Sequence, residues 1–523
     1  MNAQAPMGAL PPETIVAVVG AGIMGAGIAQ VATAAGHRVL LNDARPDAAA
    51  EAIGKIGDSL SKRVASGKMA EAARAALLAN LSPAPDLDAV AGAGLVIEAI
   101  VENLDAKCEL FASLEAVVGE DAILATNTSS VSVTAIGAKL ARPQRLVGMH
   151  FFNPAQVMKL VEVVSGLATA PEVAEAVFAT AKVWGKMPVH AKSTPGFIVN
   201  RVARPYYAEA LRLAEEGAAT PEVIDLLLTR GAGFPMGPFR LMDLIGNDTN
   251  YAVTRSTFDA YFGDPRYRPS ILQGELVAAG RLGRKSGRGF YDYAQPEPPF
   301  EPAAPAAPTG EVIASGDLAA IAALVARLEA RGVIVRVQSG AGEPRLQYGK
   351  ADLRLTDGRP ATLRVASRQD NLVVFDVADD FATVDALAVA VQDTAPPEVA
   401  TDAIRLFAMA GIRAVQIDDT PGLVVARTLA MLANEAAEAE LAGIATAEGI
   451  DQAMRFGVNY PHGPLEWADR LGAGCLLAIL EGMHASYGDD RYRPSLRLRR
   501  VASAKGSFHE TLAAERHGRG SSI

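Results

Sequence analysis

The chain has 523 residues, half of them hydrophobic and about a fifth charged, with a formal net charge of −10. That length exceeds one ordinary core and fits roughly three or four soluble globular domains. The acidic balance argues against nucleic-acid or anionic-membrane partners. The two cysteines, Cys108 and Cys475, form neither a metal-ligand spacing nor a disulfide framework, so no metal is expected and a reducing, cytoplasmic compartment fits.

The first residues, MNAQAPMGALPPET, lack the charged and apolar regions of a secretory signal and read as a short disordered lead. From Ile15 to Gly36 there is no charge, a stretch long enough to cross a bilayer. It is interrupted by Gly20, Gly22, Gly25, Gly27 and Gly36, and it opens on the β-branched run IVAVVG. A buried strand, turn and helix is therefore expected rather than a membrane span. Further strand-like runs follow at RVLLND (38–43), LVIEAI (95–100), AILATN (122–127), RLVGMHF (145–151) and KLVEVV (159–164), alternating with helical patterns. That alternation predicts a mostly parallel sheet covered by helices, a Rossmann-type α/β domain over 14–193. An all-α domain is expected over 194–294, with helices at 201–217 and 220–231, the second started by Thr220-Pro221-Glu222. Six prolines in 294–309 mark an extended linker, placed at 295–309.

The remainder repeats the first half at an offset of 226. TPG at 194–196 meets TPG at 420–422, PEVA at 171–174 meets PEVA at 397–400, and Arg201 and Glu209 meet Arg427 and Glu435. Ile224-Asp225 meets Ile450-Asp451, and with a one-residue slip RYRPS at 266–270 meets RYRPS at 491–495. So many colinear matches indicate duplication of a structural unit. Residues 310–400 then read as a degenerate, reduced α/β remnant and 401–510 as a second all-α repeat. At the same offset His150 meets Asp376, Asn153 meets Asp379, Glu162 meets Ala388 and Asn200 meets Ala426, so the second half is expected to be non-catalytic.

Residues 20–25, GAGIMG, give G-x-G-x-x-G after a strand and at a helix start. Gly20 permits the tight turn, Gly22 lets backbone N–H groups approach a pyrophosphate, and Gly25 lets helix and strand pack; Ile23 and Met24 lie in the same loop. Asp43 ends the second strand, where an acid binds a ribose 2′-hydroxyl and repels a 2′-phosphate. NAD is thus favoured over NADP. Of seven histidines, His37, His190, His462, His484, His509 and His517 lack an acid–polar constellation in the sequence. His150 differs: it ends a strand, and Glu162 sits in the next apolar strand, where a carboxylate needs a partner. If the strands pair, Glu162 orients the imidazole and favours its cationic form after proton uptake.

GAGIMGAGIA, VIEAIVENLDAKCELFASLE, ATNTSS, HFFNPAQVMKLVEVV, TPGFIVNR and GRKSGRGFYDY, in this order over about 14–294, resemble the signature segments of the 3-hydroxyacyl-CoA dehydrogenases. The longer form with a second helical repeat is similar to the 3-hydroxyadipyl-CoA dehydrogenases of phenylacetate degradation. The resemblance implies NAD-dependent oxidation of an (S)-3-hydroxyacyl-CoA, with 3-hydroxyadipyl-CoA or 3-hydroxybutyryl-CoA as substrate. It makes His150 the general base and Glu162 its partner, with Ser129 and Asn200 bonding the reacting oxygen or thioester region. Glu102, Lys107, Asn153 and Lys285 would help fix the cofactor. Ser59 would touch coenzyme A, and Lys62, Arg63 and Lys68 would meet its phosphates unless they are only a solvated helix face. Helical domains of this family commonly mediate dimerisation, which implies a homodimer or a monomer whose second repeat imitates a partner. Two alternatives stay open on the sequence: a dehydrogenase of a free β-hydroxy acid, and a non-catalytic, crystallin-like NAD-binding protein.

Overall fold

The computed structural model describes residues 8–510 apart from 297, 298, 305, 366, 368 and 369. Residues 1–7 of the expected lead, those three linker positions and His517 lie outside the described residues. The chain divides into two units, Met1–Arg201 with Ala442–Val458, and Val202–Leu441 with Asn459–Ile523.

In the first unit eight strands form one sheet: β1 (Val16–Val19), β2 (Val39–Asn42), β3 (Leu81–Pro83), β4 (Leu95–Glu98), β5 (Ile123–Thr126), β6 (Leu146–Phe151), β7 (Leu160–Ser165) and β8 (Met187–Lys192). Their order is β3-β2-β1-β4-β5-β6-β7-β8, parallel except where β6 meets β7. β1, β4 and β5 are buried along their whole length because helices cover both faces, which is why they read as unbroken apolar runs. Val16, Val18, Leu41, Ile97 and Val147 share one core with Ile28 of the helix Ile23–Ala34 and Ile56 and Leu60 of the helix Ala48–Ala65. The strand order reverses at β1, between β2 and β4, and a crevice for a ligand opens beyond the carboxyl ends of strands at such a point.

The second unit carries a sheet of its own: β9 (Glu311–Gly316), β10 (Ile334–Ser339), β11 (Arg345–Tyr348), β12 (Ala351–Leu355), β13 (Leu372–Phe375), β14 (Ala386–Val391) and β15 (Arg413–Gln416). The order is β10-β9-β11-β12-β13-β14-β15. The segment called a remnant therefore keeps a seven-stranded sheet over a full core that includes Val312, Leu324, Leu353, Phe375, Leu387 and Phe407. What shortens it is a β11–β12 hairpin, joined at Gly349-Lys350, standing where the first sheet has parallel β4, a helix and β5. The helix expected over 201–217 is also divided: Val199–Val202 is followed by Arg204–Glu215, with Pro205, which has no N–H, in the first turn of the latter.

Equivalent helices of the two repeats have exchanged sheets. In the first unit the helix Ala447–Gly457 lies against β7 and β8, where Gly457 abuts Leu160 and Val199, and Lys192 donates its N–H to Ile444 at 3.0 Å. In the second unit the matching helix, Pro221–Gly231, lies against β14, and Asp379 donates its N–H to Gly231 at 2.9 Å.

Candidate active site

The glycine loop follows β1. A Cβ on Gly20, at φ +107°, would strike the Ala99 carbonyl, and one on Gly25 would strike the Gly20 carbonyl, whereas Gly22 faces open space. Gly22 is the N-cap of the helix Ile23–Ala34, so unpaired N–H groups and the positive end of the helix dipole border that space, with Ile23 exposed beside it and Met24 half-buried. Asp43 accepts the Ala21 N–H at 2.7 Å and the Arg45 N–H at 2.9 Å, which fixes its carboxylate at the end of β2. The cradle fits a dinucleotide: two glycines close the turn and the third leaves room for a phosphate.

A second cluster stands at the ends of β4 and β5. Glu98, fully buried, receives Lys107 Nζ at 2.6 Å, the Thr126 hydroxyl at 2.6 Å and the Ile100 N–H at 2.7 Å. Lys107, also buried, reaches Glu102 at 3.2 Å with the same ammonium group. Glu102 in turn accepts the Thr128 hydroxyl at 2.6 Å, the Ser129 and Ser130 N–H groups at 2.9 Å each, and the Ser130 hydroxyl at 2.9 Å. Burial pushes the Glu102 carboxyl up, but the Thr128 hydroxyl, Lys107 and the Ser130 and Ser129 donors outweigh it and hold it at about 2. The lysine and the carboxylate thus build the turn that presents Ser129, whose hydroxyl lies 3.3 Å from Glu102.

His150 and Glu162 are direct cross-strand partners of β6 and β7. His150 Nδ1 lies 2.6 Å from Glu162 Oε2, and both side chains are buried. The other carboxylate oxygen accepts the N–H groups of Ile198 at 3.1 Å and Val199 at 2.9 Å. One carboxylate therefore holds both the imidazole and the start of the helix Val199–Val202, which carries Asn200. The chain reaches that helix through the TPG turn, with Gly196 and Phe197 both in the left-handed region. Phe152 and Phe197 flank the imidazole with ring centroids at 4.5 and 5.8 Å. Nε2 of His150 has no protein partner among the described residues.

The remaining expected residues are spread more widely. Asn153 is exposed at a cis peptide bond to Pro154. Ser59, Lys62, Arg63 and Lys68 are exposed on and just beyond the helix Ala48–Ala65, and none of the three cations has an ion-pair partner among the described residues. Lys285, in the second unit, pairs with Asp248 at 2.6 Å. Four histidines set aside in the sequence do have acids: His462 lies 3.1 Å from Glu466 and 3.4 Å from Asp379, His190 lies 3.2 Å from Glu175, His509 lies 2.7 Å from Asp469, and His484 lies 3.9 Å from Asp490. Folding supplies Asp379 and Asp469 from distant segments, and Glu466 from one helical turn away.

Lys186 was not foreseen. Its buried ammonium donates to the carbonyls of Ala155 at 2.5 Å and Met158 at 2.9 Å, tying down the loop that follows Asn153-Pro154. Burial lowers its pKa. Lys186→Met leaves both carbonyls without their donor, at about 1–3 kcal/mol of stability; the expected result is a lower urea midpoint and a raised KM with a smaller change in kcat.

The 3-hydroxyacyl-CoA dehydrogenase NAD-binding domain matches residues 15–194, and the C-terminal domain of those enzymes matches twice, at 196–293 and 422–511. The chain belongs to the 3-hydroxyacyl-CoA dehydrogenase family. Its second sheet is matched over 353–421 by the reduced Rossmann-fold domain of 3-hydroxybutyryl-CoA dehydrogenases. The 3-hydroxyadipyl-CoA dehydrogenase of Escherichia coli K12 is 44% identical over 504 residues, covering 94% of this chain and 98% of that one. A crystal structure of a 3-hydroxybutyryl-CoA dehydrogenase from Escherichia coli K12 covers 95% of this chain and 99% of its own at 43% identity and a TM-score of 0.86. An (S)-3-hydroxybutyryl-CoA dehydrogenase from Ralstonia eutropha covers 54% of this chain and all of its own, at 42% identity and a TM-score of 0.52. The protein is thus a long-form, NAD-dependent 3-hydroxyacyl-CoA dehydrogenase. No helix among the described residues is long and apolar enough to cross a membrane.

Proposed function

We propose that the enzyme oxidises an (S)-3-hydroxyacyl-CoA through His150 as general base, with 3-hydroxyadipyl-CoA as its substrate and 3-hydroxybutyryl-CoA as the second candidate. The observation that carries the mechanism is the 2.6 Å bond from His150 Nδ1 to Glu162, which leaves Nε2 without a protein partner among the described residues. Glu162 keeps the proton on Nδ1, so Nε2 presents a lone pair that takes the proton of the 3-hydroxyl. Positive charge then arising on the ring faces the carboxylate. NAD, when bound, accepts the hydride from the same carbon. Gly20, Gly22, Gly25 and Asp43 hold the dinucleotide, with Ile23 and Met24 beside it. Ser129 and Asn200 bond the reacting oxygen or the thioester, Glu102, Lys107, Asn153 and Lys285 serve the cofactor side, and Ser59, Lys62 and Lys68 serve coenzyme A.

One observation supports 3-hydroxyadipyl-CoA, the name of a nearly full-length relative; the duplicated architecture does not separate the two candidates, because a nearly full-length structure is named for 3-hydroxybutyryl-CoA. Steady-state NADH formation with both thioesters tests it, and the adipyl substrate is expected to have the larger kcat/KM. A larger value for the butyryl substrate favours the second candidate. Turnover of neither, with turnover of a free β-hydroxy acid, removes the reading.

The second repeat is proposed to act as a built-in partner. Glu209 of the first helical repeat accepts the Tyr492 hydroxyl of the second at 3.0 Å, and Glu435 of the second accepts the Tyr267 hydroxyl of the first at 2.5 Å. Each copy thus offers the same acid to the same tyrosine of the other, the reciprocity of a two-fold interface. A chain ending near residue 300 exposes this face; it is expected to aggregate or to dimerise, as light scattering would detect, while the full chain remains a cytoplasmic monomer.

Glu102 supplies a pH test. Its carboxyl is held at about 2 against an ordinary 4.5, so its contribution to stability is present above pH 4.5 and disappears as pH falls towards 2. In Glu102→Gln the fall of unfolding free energy between those pH values is expected to be shallower than in the wild type.

A further inference from the structure

In the second unit a cavity of about 170 Å³ opens between the helix Arg204–Glu215 and the segment that leads into the helix Ile271–Ala278. Arg204, Tyr207, Arg268, Ser270, Gln273 and Arg491 are among its lining residues. Arg204 is only 6% exposed, yet it has no carboxylate partner among the described residues. It donates to the Thr254 hydroxyl at 3.3 Å, its guanidinium lies 4.9 Å from the centre of the Tyr207 ring, and its Nε is buried without a hydrogen-bond acceptor. Arg491 likewise has a buried Nε without an acceptor, and its Nη1 reaches Glu209 only at 3.5 Å. Arg268 adds an exposed cation with no ion-pair partner among the described residues. Glu215 is the one acid of the lining, and it is already engaged by the Ser270 hydroxyl at 2.7 Å and the Leu272 N–H at 3.0 Å.

A buried charge without a counter-charge is costly, and burial pulls the Arg204 guanidinium below its ordinary range, with Tyr207 and Tyr460 pushing it back up. A ligand with a negative charge would supply the missing partner. The duplication adds a second observation. At the offset of 226, Arg204 and Tyr207 correspond to Ala430 and Ala433, so the buried arginine and the ring it packs on are present only in the repeat that follows the His150–Glu162 half. Ordinary helix packing therefore does not need them. A planar, forked donor with free N–H groups in a small, partly apolar cavity matches a carboxylate on a short methylene chain.

We infer that the Arg204 cavity is a carboxylate-binding pocket. Two sources share that chemistry: the terminal carboxylate of a dicarboxyl acyl chain, or a free dicarboxylate. The first rests on the acyl-CoA reading; the second does not.

The test uses the full chain, with Arg204→Met, which keeps most of the packing, and Arg204→Lys, which keeps the charge but loses the fork. Adipate and, separately, inorganic phosphate are titrated while the melting temperature is followed. The kcat/KM ratio of 3-hydroxyadipyl-CoA to 3-hydroxybutyryl-CoA is then measured in each protein. Adipate is expected to raise the melting temperature of the wild type, to do so less in Arg204→Lys, and not in Arg204→Met. A ratio lowered by about 10- to 100-fold in Arg204→Met, mainly through KM of the adipyl substrate, supports the pocket with the acyl-chain carboxylate as its occupant. Loss of the adipate effect with an unchanged ratio supports the pocket with a free dicarboxylate as its occupant. No adipate effect on the wild type together with an unchanged ratio overturns the inference, as does a phosphate effect in its place. Should Arg204→Met not fold, the Lys variant carries the same comparison. If the wild type turns over neither thioester, the functional reading fails, and the adipate titration still decides the pocket.

Discussion

His150→Ala is expected to lower kcat by about 10²- to 10⁴-fold, the usual contribution of a positioned general base, while NADH binding, followed by its fluorescence, stays within a few-fold of the wild type. The separation follows from where the groups stand. The imidazole ends β6, whereas the glycine cradle follows β1 and depends on Ala99, Gly20 and Asp43. Removing the ring leaves Glu162 with its two backbone donors, Ile198 and Val199, so the carboxylate keeps partners and the start of the next helix keeps its anchor. Glu162→Gln is the sharper companion. An amide can still accept from those N–H groups, but it no longer places a full negative charge beside the ring. Its kcat is expected to fall by less than that of His150→Ala, because the imidazole remains but loses the negative charge that faces it once it has taken the proton. Undiminished turnover in His150→Ala removes this histidine as the base, and equal losses in both variants mean that charge on Glu162 matters as much as the imidazole itself.

How far the sequence discloses such a site depends on how many neighbours each group needs. The glycine turn and Asp43 are local, fixed by one strand, one turn and one helix, so spacing alone finds them. The His150–Glu162 pair needs one further fact, the strand pairing, and a carboxylate inside an apolar run points to it. Glu98 carries the same signal within LVIEAI and would have been found by the same reasoning. Lys186 carries no such mark: its acceptors are backbone carbonyls about 30 residues away, and carbonyls leave no trace in composition. The duplication shows both sides of this. The sequence predicts that Asp376 stands where His150 stands, but not what it does there. In the structure Asp376 is fully buried and accepts the N–H groups of Val424 at 3.0 Å, Val425 at 2.7 Å and Ala426 at 2.8 Å. These donors are the counterparts of Ile198 to Asn200, and the first two correspond to those that Glu162 binds. The second half has kept the carboxylate that anchors the helix, moved it across to the neighbouring strand, and dispensed with the imidazole. The sequence marks the second α/β segment but not its seven strands, since the antiparallel β11–β12 hairpin stands in place of β4, a helix and β5.

The largest stability effect is expected at Glu209. Its carboxylate is fully buried, 2.8 Å from Nε of the equally buried Arg427 and 3.0 Å from the Tyr492 hydroxyl, with Arg491 at 3.5 Å. Burial pushes this carboxyl up, but Arg427 and Arg491 outweigh it and the group lies below its ordinary range, so it is ionised wherever the protein is folded near neutral pH. Glu209→Ala removes the anion and leaves two guanidinium groups facing a cavity. Breaking one side of a buried pair costs about 3–5 kcal/mol, which would appear as a lower urea midpoint with little change in slope. Glu216 provides the internal control: it also touches Arg427, at 3.1 Å, but it is partly exposed, and such pairs contribute about 1 kcal/mol or less. The double variant Glu209→Met with Arg427→Met decides how the cost arises. If it comes from an uncompensated charge, the double variant recovers most of the loss and the cycle gives a coupling of several kcal/mol. If it comes from the cavity and lost packing, the two substitutions add, and the network is then only one more part of the core. Recovery would mean that the paired charges contribute little net stability. Their reciprocal placement, Glu209 to Tyr492 and Glu435 to Tyr267, would then serve to set the register in which the two repeats meet.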